Sequence, residues 1–365
     1  MIDYQNIRRK TRAVKVGNVV IGGSAKISIQ SMTNTDTMDS VATISQVSAL
    51  EKAGCDIVRI TVPNVESAST ITKIKESGIR VPIVADIHFD YKAALACAER
   101  GVDKIRINPG NIGDDSRVKA VVDACKQNNI PIRIGVNSGS LEKHILAKHG
   151  SPTPEALCES AMYHAALLEK FDFDDIVISI KGSSVEQMIK ANRLVAERCE
   201  YPIHIGVTEA GSEEYGMIKS AAGIGALLCD GIGDTMRVSL TADPVREVRA
   251  AKSILNALEI QGQCGMNIVS CPTCGRTKID LILLENQFRA VAEREGLKDY
   301  PIKVALMGCI VNGPGEAREA DIGIAGGQGE ALLISHGEII KKIKEDEIIE
   351  TLIIAIKEMR NNNIG

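Results

Sequence analysis

The sequence predicts an α/β fold in which a (β/α)₈ TIM barrel is followed by a smaller α+β domain. Residues 27–242 repeat one unit of a short strand rich in Ile and Val, a polar loop and an amphipathic helix, and eight such units fit into this stretch. The strands are apolar along their length, which is typical of parallel strands buried on both faces. A different order of elements follows, so we expect domains at 1–260 and 261–365. An open, doubly wound sheet is the alternative arrangement.

The eight predicted strands follow an N-terminal hairpin. Residues 13–21 form two short apolar strands around a turn at Gly17-Asn18, and we expect this hairpin to plug the bottom of the barrel. Several of the helices between the strands end at glycines. The helices are predicted at 64–77, 90–100, 113–127, 183–198 and 243–262. The strands are predicted at 27–31, 56–62, 82–86, 103–107, 131–136, 175–180, 203–207 and 233–238.

The second domain is predicted to contain three strands and two helices. A helix at 277–295 precedes a strand at 302–307, and a charged helix at 344–360 closes the domain. A strand pair at 321–327 and 331–336 lies between them. Its glycine-rich connection joins two strands and does not open a helix, so we interpret it as a hairpin turn and not as a phosphate-binding loop.

Composition and charge exclude several classes of function. The 365 residues carry a net charge of -4 and a pI near 6.0, whereas nucleic-acid binding requires a basic surface. With no Trp and four Phe, platforms for base stacking are not expected either. The N-terminal residues do not resemble a signal peptide, and no apolar run approaches the ~20 residues of a membrane helix. We therefore expect a cytoplasmic protein without nucleic-acid or membrane partners, in which cysteines stay reduced.

Three cysteines and a glutamate near the C-terminus carry the strongest chemical signal. They lie in the segments Cys271-Pro-Thr-Cys274 and Cys309-Ile-Val-Asn-Gly-Pro-Gly-Glu316. Thiolates are the usual ligands of iron–sulfur clusters, and a carboxylate on the remaining iron would be an exchangeable ligand that a substrate could replace. A zinc site that uses Cys264 or a histidine as the fourth ligand, and a redox dithiol, remain open from the spacing alone. Three other cysteines lie on predicted helices and are interpreted as small core residues: Cys97, Cys158 and Cys199.

The C-terminal ends of the predicted barrel strands are strongly cationic, and barrel enzymes build their sites at these ends. The guanidinium group of an arginine can donate two parallel hydrogen bonds to the oxygens of one phosphate, and glycine-rich turns offer backbone N–H donors. This rim therefore suits a diphosphate-bearing ligand. The alternative is that some cations pair with Asp86, Asp234 or Glu209. His88 and Glu209 are candidate proton donors by location. The five cations are Arg59, Arg106, Arg133, Lys181 and Arg237.

Six motifs together resemble one family, the bacterial two-domain form of 4-hydroxy-3-methylbut-2-enyl diphosphate synthase of the non-mevalonate isoprenoid pathway. They span nearly the whole chain in the order of that family. The motifs are Ser31-Met-Thr-Asn-Thr-Asp36, Arg106-Ile-Asn-Pro-Gly-Asn111, Arg133-Ile-Gly-Val-Asn137, Gly233-Asp-Thr-Met-Arg-Val-Ser239, Cys271-Pro-Thr-Cys-Gly-Arg276 and Gly308-Cys-Ile-Val-Asn-Gly-Pro-Gly-Glu316.

The resemblance implies an iron–sulfur reductase. Its substrate is a methylerythritol cyclic diphosphate, whose ring is opened and dehydroxylated with two electrons while one oxygen leaves as water. A [4Fe–4S] cluster on Cys271, Cys274, Cys309 and Glu316 supplies the electrons, and flavodoxin or ferredoxin is the electron donor. A head-to-tail homodimer is implied as well, in which the barrel of one subunit meets the cluster domain of its neighbour.

The resemblance and the strand-end positions together give the predicted site residues. Glu209 is similar to the family's proposed proton donor, and Glu316 and His88 complete the predicted catalytic set. The predicted substrate-binding residues are Arg59, Asp86, Arg106, Asn108, Arg133, Asn137, Lys181, Arg237 and Ser239.

Two other hypotheses come from different classes of protein. An iron–sulfur sensor or electron carrier with a vestigial barrel would leave the five rim cations unexplained. A barrel transferase, such as a pterin-type synthase with a structural zinc module, would contain zinc and need no reductant. Glu316 discriminates among these hypotheses, because neither a sensor nor a zinc module requires a carboxylate shortly after a cysteine.

Overall fold

The computed structural model describes residues 4–182, 184–260 and 265–362. Within this part of the chain, tertiary contacts separate two units, and the division falls after Ile260. Each unit has its own hydrophobic core. None of the helices in the described ranges has the length and apolar character that a membrane crossing requires.

The first unit is a closed parallel barrel. In space its strands run in the order β8-β7-β6-β5-β4-β3-β10-β9, and a parallel bridge from Ile178 to Ile203 joins the two end strands. This closure confirms the predicted barrel and excludes the open sheet. The strands are β3 (Ser28–Met32), β4 (Ile57–Thr61), β5 (Ile83–Asp86), β6 (Lys104–Ile107), β7 (Ile132–Asn137), β8 (Ile176–Lys181), β9 (His204–Ile205) and β10 (Thr235–Met236).

The hairpin closes the bottom of the barrel, as predicted. A short helix α1 (Tyr4–Ile7) precedes its antiparallel strands β1 (Val14–Val16) and β2 (Val19–Ile21). The apolar side chains of this hairpin pack against residues near the starts of the barrel strands. Water is thereby excluded from the N-terminal end of the barrel. The residues of this cluster are Val14, Val16, Ile21, Ile57, Val84 and Val177.

In the described part of the first unit, ten helices surround or cap the barrel. Most begin at a residue whose side chain accepts a hydrogen bond from the first turn, such as Asp39, Asp90, Asp114 and Asp243. They are α2 (Ser40–Lys52), α3 (Ser69–Glu76), α4 (Tyr91–Glu99), α5 (Pro109–Ile112), α6 (Asp115–Asn128), α7 (Lys143–His149), α8 (Pro154–Glu169), α9 (Val185–Arg198), α10 (Glu213–Cys229) and α11 (Pro244–Ala257).

Helix α11 ends earlier than the pattern predicts. The sequence predicts a helix to residue 262, whereas α11 ends at Ala257. Glu259 has a positive φ of 53°, and the Ile260 N–H donates to the carbonyl of Leu255, so the chain turns out of the helix at this point. Residues 261 and 262 lie outside the described ranges.

The second unit is an α+β domain built on a mixed sheet. Strands β11 (Asn267–Ser270), β12 (Lys303–Met307) and β13 (Ile322–Gly326) are parallel, and β14 (Glu330–Ser335) and β15 (Glu338–Lys344) continue the sheet antiparallel. Helices α12 (Leu281–Arg294) and α14 (Ile348–Asn362) contribute Phe288, Leu352 and Ile356 to its main core. The short helix α13 (Gly313–Glu316) follows β12.

The structure both confirms and corrects the elements predicted here. The connection at 326–329 is a hairpin turn, because β13 and β14 pair antiparallel. The helix predicted from 344 is wrong at its start, since residue 344 ends β15 and the helix begins at Ile348. The helix predicted from 277 begins at Leu281, where the Asp280 side chain caps it. Strands β11 and β15 were not predicted, because they are largely exposed and lack a continuous apolar run.

Candidate functional site

The barrel interior is unusually polar. Successive side chains of a strand alternate between its two faces, and the interior positions of such barrels are ordinarily filled by branched apolar residues. Here charged and polar side chains occupy many of those positions, and each is at most 9% exposed. The interior is therefore built for a charged ligand above the apolar hairpin. These buried residues are Gln30, Arg59, Asp86, Lys104, Arg106, Arg133, Ser179, Lys181, His204 and Thr235.

Asp86, at the end of β5, fixes two of the predicted arginines. Arg106 donates to its Oδ1 at 3.0 Å, and Arg59 Nε lies 3.6 Å from its Oδ2. Burial alone would raise the pKa of Asp86, but attraction by Arg59, Arg106 and Arg133 outweighs burial and holds it well below its usual range. A side chain at Gly135 would collide with the Arg106 guanidinium, so this glycine leaves the space that Arg106 fills. Asp86 thus stays ionised and orients both guanidinium groups.

Arg237 is held by a glutamate that the sequence analysis did not identify. Its Nε and NH2 each donate to Glu247 of α11 at 3.1 Å, which is a two-pronged ion pair. Ser31 and the Leu240 N–H also donate to Glu247, which is 3% exposed. The sequence did carry a signal for this residue, because Glu247 is a carboxylate on the apolar face of an amphipathic helix.

Arg133 and Lys181 are buried without an adjacent carboxylate partner among the described residues. Arg133 is 1% exposed, and its NH1 donates to the neutral Gln30 amide at 3.4 Å. Burial, followed by repulsion from neighbouring arginines, lowers the pKa of both side chains well below their usual ranges. The oxygens of Asp86 and Glu247 already contact Arg59, Arg106 and Arg237. The pocket therefore carries excess positive charge, which favours an anionic ligand.

The remaining predicted residues lie around this core with different contacts. Asn108 is buried, caps α5 through Gly110, and donates to Ser140 at 3.4 Å. His88 is half-exposed, with Nε2 3.8 Å from Asp86 Oδ2.

Three predicted residues lie at a strand end or beyond it without joining the charged cluster. Glu209 is exposed and has a positive φ of 54°, while Asn137 and Ser239 are half-buried. Within the described ranges, no side-chain hydrogen bond or ion pair links these three to the five cations. Asp234, considered as a partner of the rim cations, instead pairs with Arg8 at 2.8 Å.

In the second unit, the two cysteine segments lie on adjacent loops. Cys271 directly follows β11, and its Sγ accepts a hydrogen bond from the Gly308 N–H at 3.3 Å, one residue before Cys309. The Lys278 N–H donates to the carbonyl of Gly308 at 3.0 Å and ties the loops together again. A parallel sheet brings the C-terminal ends of β11 and β12 to one edge, which explains why the two segments meet.

The Arg276 guanidinium is close enough to three of the predicted ligands, Cys274, Cys309 and Glu316, to interact with their charges. Its pKa is raised by Cys274 first and then by Cys309 and Glu316. Backbone N–H groups of Asn312 and its neighbours lower the pKa of Cys309, and contacts with Arg276 lower that of Cys274. The loops thus favour thiolates, which are the form that binds metals.

The four predicted ligands are near one another but not arranged as a finished site. No three His, Cys, Asp or Glu side chains within the described ranges lie close enough to hold a metal ion as they stand. Cys264, considered as a zinc ligand, lies outside those ranges. The donor set itself, three accessible thiols and an exposed carboxylate on neighbouring loops, fits an iron–sulfur cluster.

The barrel cysteines contrast with these thiols. Cys55, Cys97 and Cys125 are buried, and desolvation raises the pKa of each to about 12. Cys158 is buried and Cys199 half-buried, and burial raises their pKa values as well. The interpretation of Cys97, Cys158 and Cys199 as core residues is consistent with these positions.

Comparison with known proteins gives the family. Residues 11–252 match the family described as the GcpE TIM-barrel domain, and residues 267–358 match the GcpE protein C-terminal domain. The chain belongs to the GcpE family. This membership confirms the resemblance stated from the motifs, and it confirms the barrel followed by a separate C-terminal domain.

Several GcpE relatives are similar over nearly their full length. A protein of Clostridium perfringens is 57% identical, covering 96% of this chain and 99% of the relative. A protein of Fusobacterium nucleatum is 56% identical, and the match covers 98% of this chain and 99% of the relative. A protein of Geobacter sulfurreducens is 52% identical, and the match covers 97% of this chain and 99% of the relative. All three are named 4-hydroxy-3-methylbut-2-en-1-yl diphosphate synthase (flavodoxin).

Proposed function

We propose that this GcpE-family protein is a 4-hydroxy-3-methylbut-2-en-1-yl diphosphate synthase. It would convert 2-C-methyl-D-erythritol 2,4-cyclodiphosphate to 4-hydroxy-3-methylbut-2-enyl diphosphate by a two-electron reductive ring opening in which one oxygen leaves as water. Beyond the family itself, the observation that carries the proposal is the excess of buried cations in the barrel. Among the residues that the structure describes, no carboxylate forms an ion pair with Arg133 or Lys181, and a cyclic diphosphate would supply the missing negative charge.

The barrel cations would bind and orient the diphosphate. Arg59 and Arg106 are held by Asp86, and Arg237 by Glu247, so these guanidinium groups need little rearrangement when a ligand arrives. Asp86 would act by fixing its two arginines, and Asn108 by shaping the turn before α5. Asn137 and Ser239 would donate hydrogen bonds at the edge of the site.

Protons for the departing oxygen would come from side chains at the strand ends. Glu209 is the first candidate, since it is exposed on the loop after β9. His88 is the second, because it follows β5 and its Nε2 lies 3.8 Å from Asp86 Oδ2. Replacing each by Gln separates the two roles: loss of turnover with an unchanged KM would identify the donor.

Cys271, Cys274, Cys309 and Glu316 would hold a [4Fe–4S] cluster. When bound, the cluster would supply single electrons and, at the iron on Glu316, an exchangeable position. The exposure of Cys274 and Glu316 leaves this part of the domain open to another molecule. Reduced flavodoxin, named with the relatives, is the proposed electron donor, with ferredoxin as a substitute.

The proposed working form is a cytoplasmic homodimer with a barrel from one subunit and a cluster domain from the other. Mixing a Lys181→Ala variant with a Cys271→Ser variant tests this arrangement. If the sites are shared, exchange of subunits should restore up to roughly a quarter of wild-type turnover, because half the dimers would have one intact site. Two inactive variants that stay inactive after verified exchange would contradict a shared site.

The decisive experiment is anaerobic purification followed by metal analysis and assay. About four iron and four sulfide per chain, together with turnover of the cyclic diphosphate by reduced flavodoxin, would support the proposal. One zinc per chain, with no iron or sulfide after anaerobic reconstitution, would contradict it. A reconstituted cluster with no turnover of the cyclic diphosphate would leave the donor set intact and overturn the assigned substrate.

A further inference from the structure

A layer of buried polar side chains lies deep in the barrel, and of its members only Arg133 is assigned to the substrate in the proposed reaction. Each of its members is at most 1% exposed, and each has a polar atom without a hydrogen-bond partner in the described structure. Native interiors rarely leave such atoms unpartnered. The atoms are Ser28 Oγ, Gln30 Nε2, Lys104 Nζ, Arg133 Nε and His204 Nε2.

These residues are close to one another. Arg133 donates to Gln30 across the barrel, and Thr235 pairs in register with both Ser28 and His204. After burial, the charge of Arg133 contributes most to lowering the pKa of both Lys104 and His204, so all three side chains share one electrostatic environment. The unpartnered atoms therefore belong to one layer.

Within the layer, Lys104 lies below Arg106, one of the cations assigned to the diphosphate. Lys104 precedes Arg106 by two residues on β6, which places it roughly 7 Å nearer the bottom of the barrel. Its register partner Val84 belongs to the apolar cluster beneath the hairpin. Arg106 and Arg59 retain 8% and 9% exposure, whereas Lys104 has none.

The chemistry of the layer favours an anion over water. Amine, guanidinium and amide nitrogens are donors, and a guanidinium does not give up its proton in proteins. Asp86, the carboxylate that acts on the charge of Arg133, already contacts Arg59 and Arg106. Water would satisfy hydrogen bonds but would add no negative charge, whereas Asp86 and Glu247 leave the buried cations of the barrel in excess, and unpaired buried charges are strongly unfavourable.

We propose that this layer binds a small monovalent anion, such as chloride, between Lys104, Arg133 and His204. The anion would offset the positive charge beneath the diphosphate site and hold the Arg133 guanidinium in place. It would also favour the protonated Lys104 amine, against repulsion from the charges of Arg133 and Arg59. Binding of the anion does not require turnover, so this proposal can be tested independently of the proposed function.

Crystallography with bromide tests the site directly. Crystals of the full chain grown in sodium bromide should show an anomalous peak within hydrogen-bond distance of Lys104 Nζ and Arg133 Nε. The peak should remain when inorganic pyrophosphate is added. Water alone in the layer would overturn the proposal, and so would displacement of bromide by pyrophosphate, because the anion would then occupy the diphosphate site.

A solution measurement adds a matched comparison. At equal ionic strength, the Tm should be higher in bromide or chloride than in gluconate by about 2 °C or more. Lys104→Met should lose this difference, while Lys92→Met, at an exposed lysine of α4, should keep it. An equal halide effect in both variants would overturn the assignment. If Lys104→Met does not fold, the bromide crystals of the unaltered chain still decide.

Discussion

The barrel interior and the cysteine loops of the second unit prepare their ligands in opposite ways. In the barrel, charged side chains project from strands, and Asp86 and Glu247 lock three arginines in place. In the second unit, the thiols and Glu316 lie on loops and a short helix, and Cys274 is exposed. The barrel strands and these ion pairs thus position the barrel site in the protein alone, whereas the donor set of the second unit would require a bound group to draw it together.

The largest effect should come from removing one thiol of the second unit. Cys271→Ser should lose the iron and more than about 10²-fold of the activity, because the thiolate would be a ligand of the proposed cluster. The far-UV circular dichroism should be nearly unchanged, since the barrel has its own core. Cys229→Ser, at an exposed barrel cysteine, is the control and should keep both iron and activity. Full iron content in Cys271→Ser would contradict the ligand assignment.

Loss of one barrel cation should be the next largest effect. Arg133→Met should reduce kcat/KM by about 10²-fold, because a fully desolvated charge contact to the diphosphate would be lost. Iron content should stay at the wild-type value, which separates this variant from the cysteine variant. Arg80→Met, at an exposed arginine, should be neutral. If Arg133→Met also lost its iron, the independence of the two regions would be refuted.

Glu316 should separate cluster assembly from turnover. Glu316→Ala should retain much of its iron on the three thiolates and lose most of its activity, since the exchangeable position would be altered. Glu319→Ala, at an exposed glutamate of the adjacent 3₁₀ turn, is the matched control and should retain activity. Wild-type activity in Glu316→Ala would overturn the assigned role of this carboxylate.

The smallest effect concerns the rate at which a thiol reagent labels each cysteine, which compares the barrel with the second unit in one sample. In the metal-free protein, a maleimide should label Cys274 and Cys229 rapidly, and Cys55, Cys97 and Cys125 only after unfolding, because the last three are buried and burial raises the pKa of each to about 12. Reconstitution should protect Cys274 and leave Cys229 reactive. Labelling of Cys274 that is equally fast after reconstitution would argue against its being a ligand.

The barrel was predictable because its signals are local. Each buried strand is a short Ile/Val run, and each helix has a capping residue or a terminal glycine near its ends, so spacing along the chain suffices. The predicted end of α11 and the predicted starts of α12 and α14 differ from the structure by a few residues. Strands β11 and β15 were missed, and most of their side chains are half-buried or exposed. Their strand structure is decided by pairing with a neighbouring strand, which the sequence pattern does not encode.

The sequence by itself determined the order of elements, the cationic strand ends and the cysteine spacing, since all three depend on residues near one another along the chain. Only the tertiary structure decided which charges are paired. Glu247 reaches Arg237 from a helix, Asp86 serves two arginines, and Lys104 is sealed beneath them. These contacts join residues on different strands and helices, and barrel closure is what brings them within reach of one another.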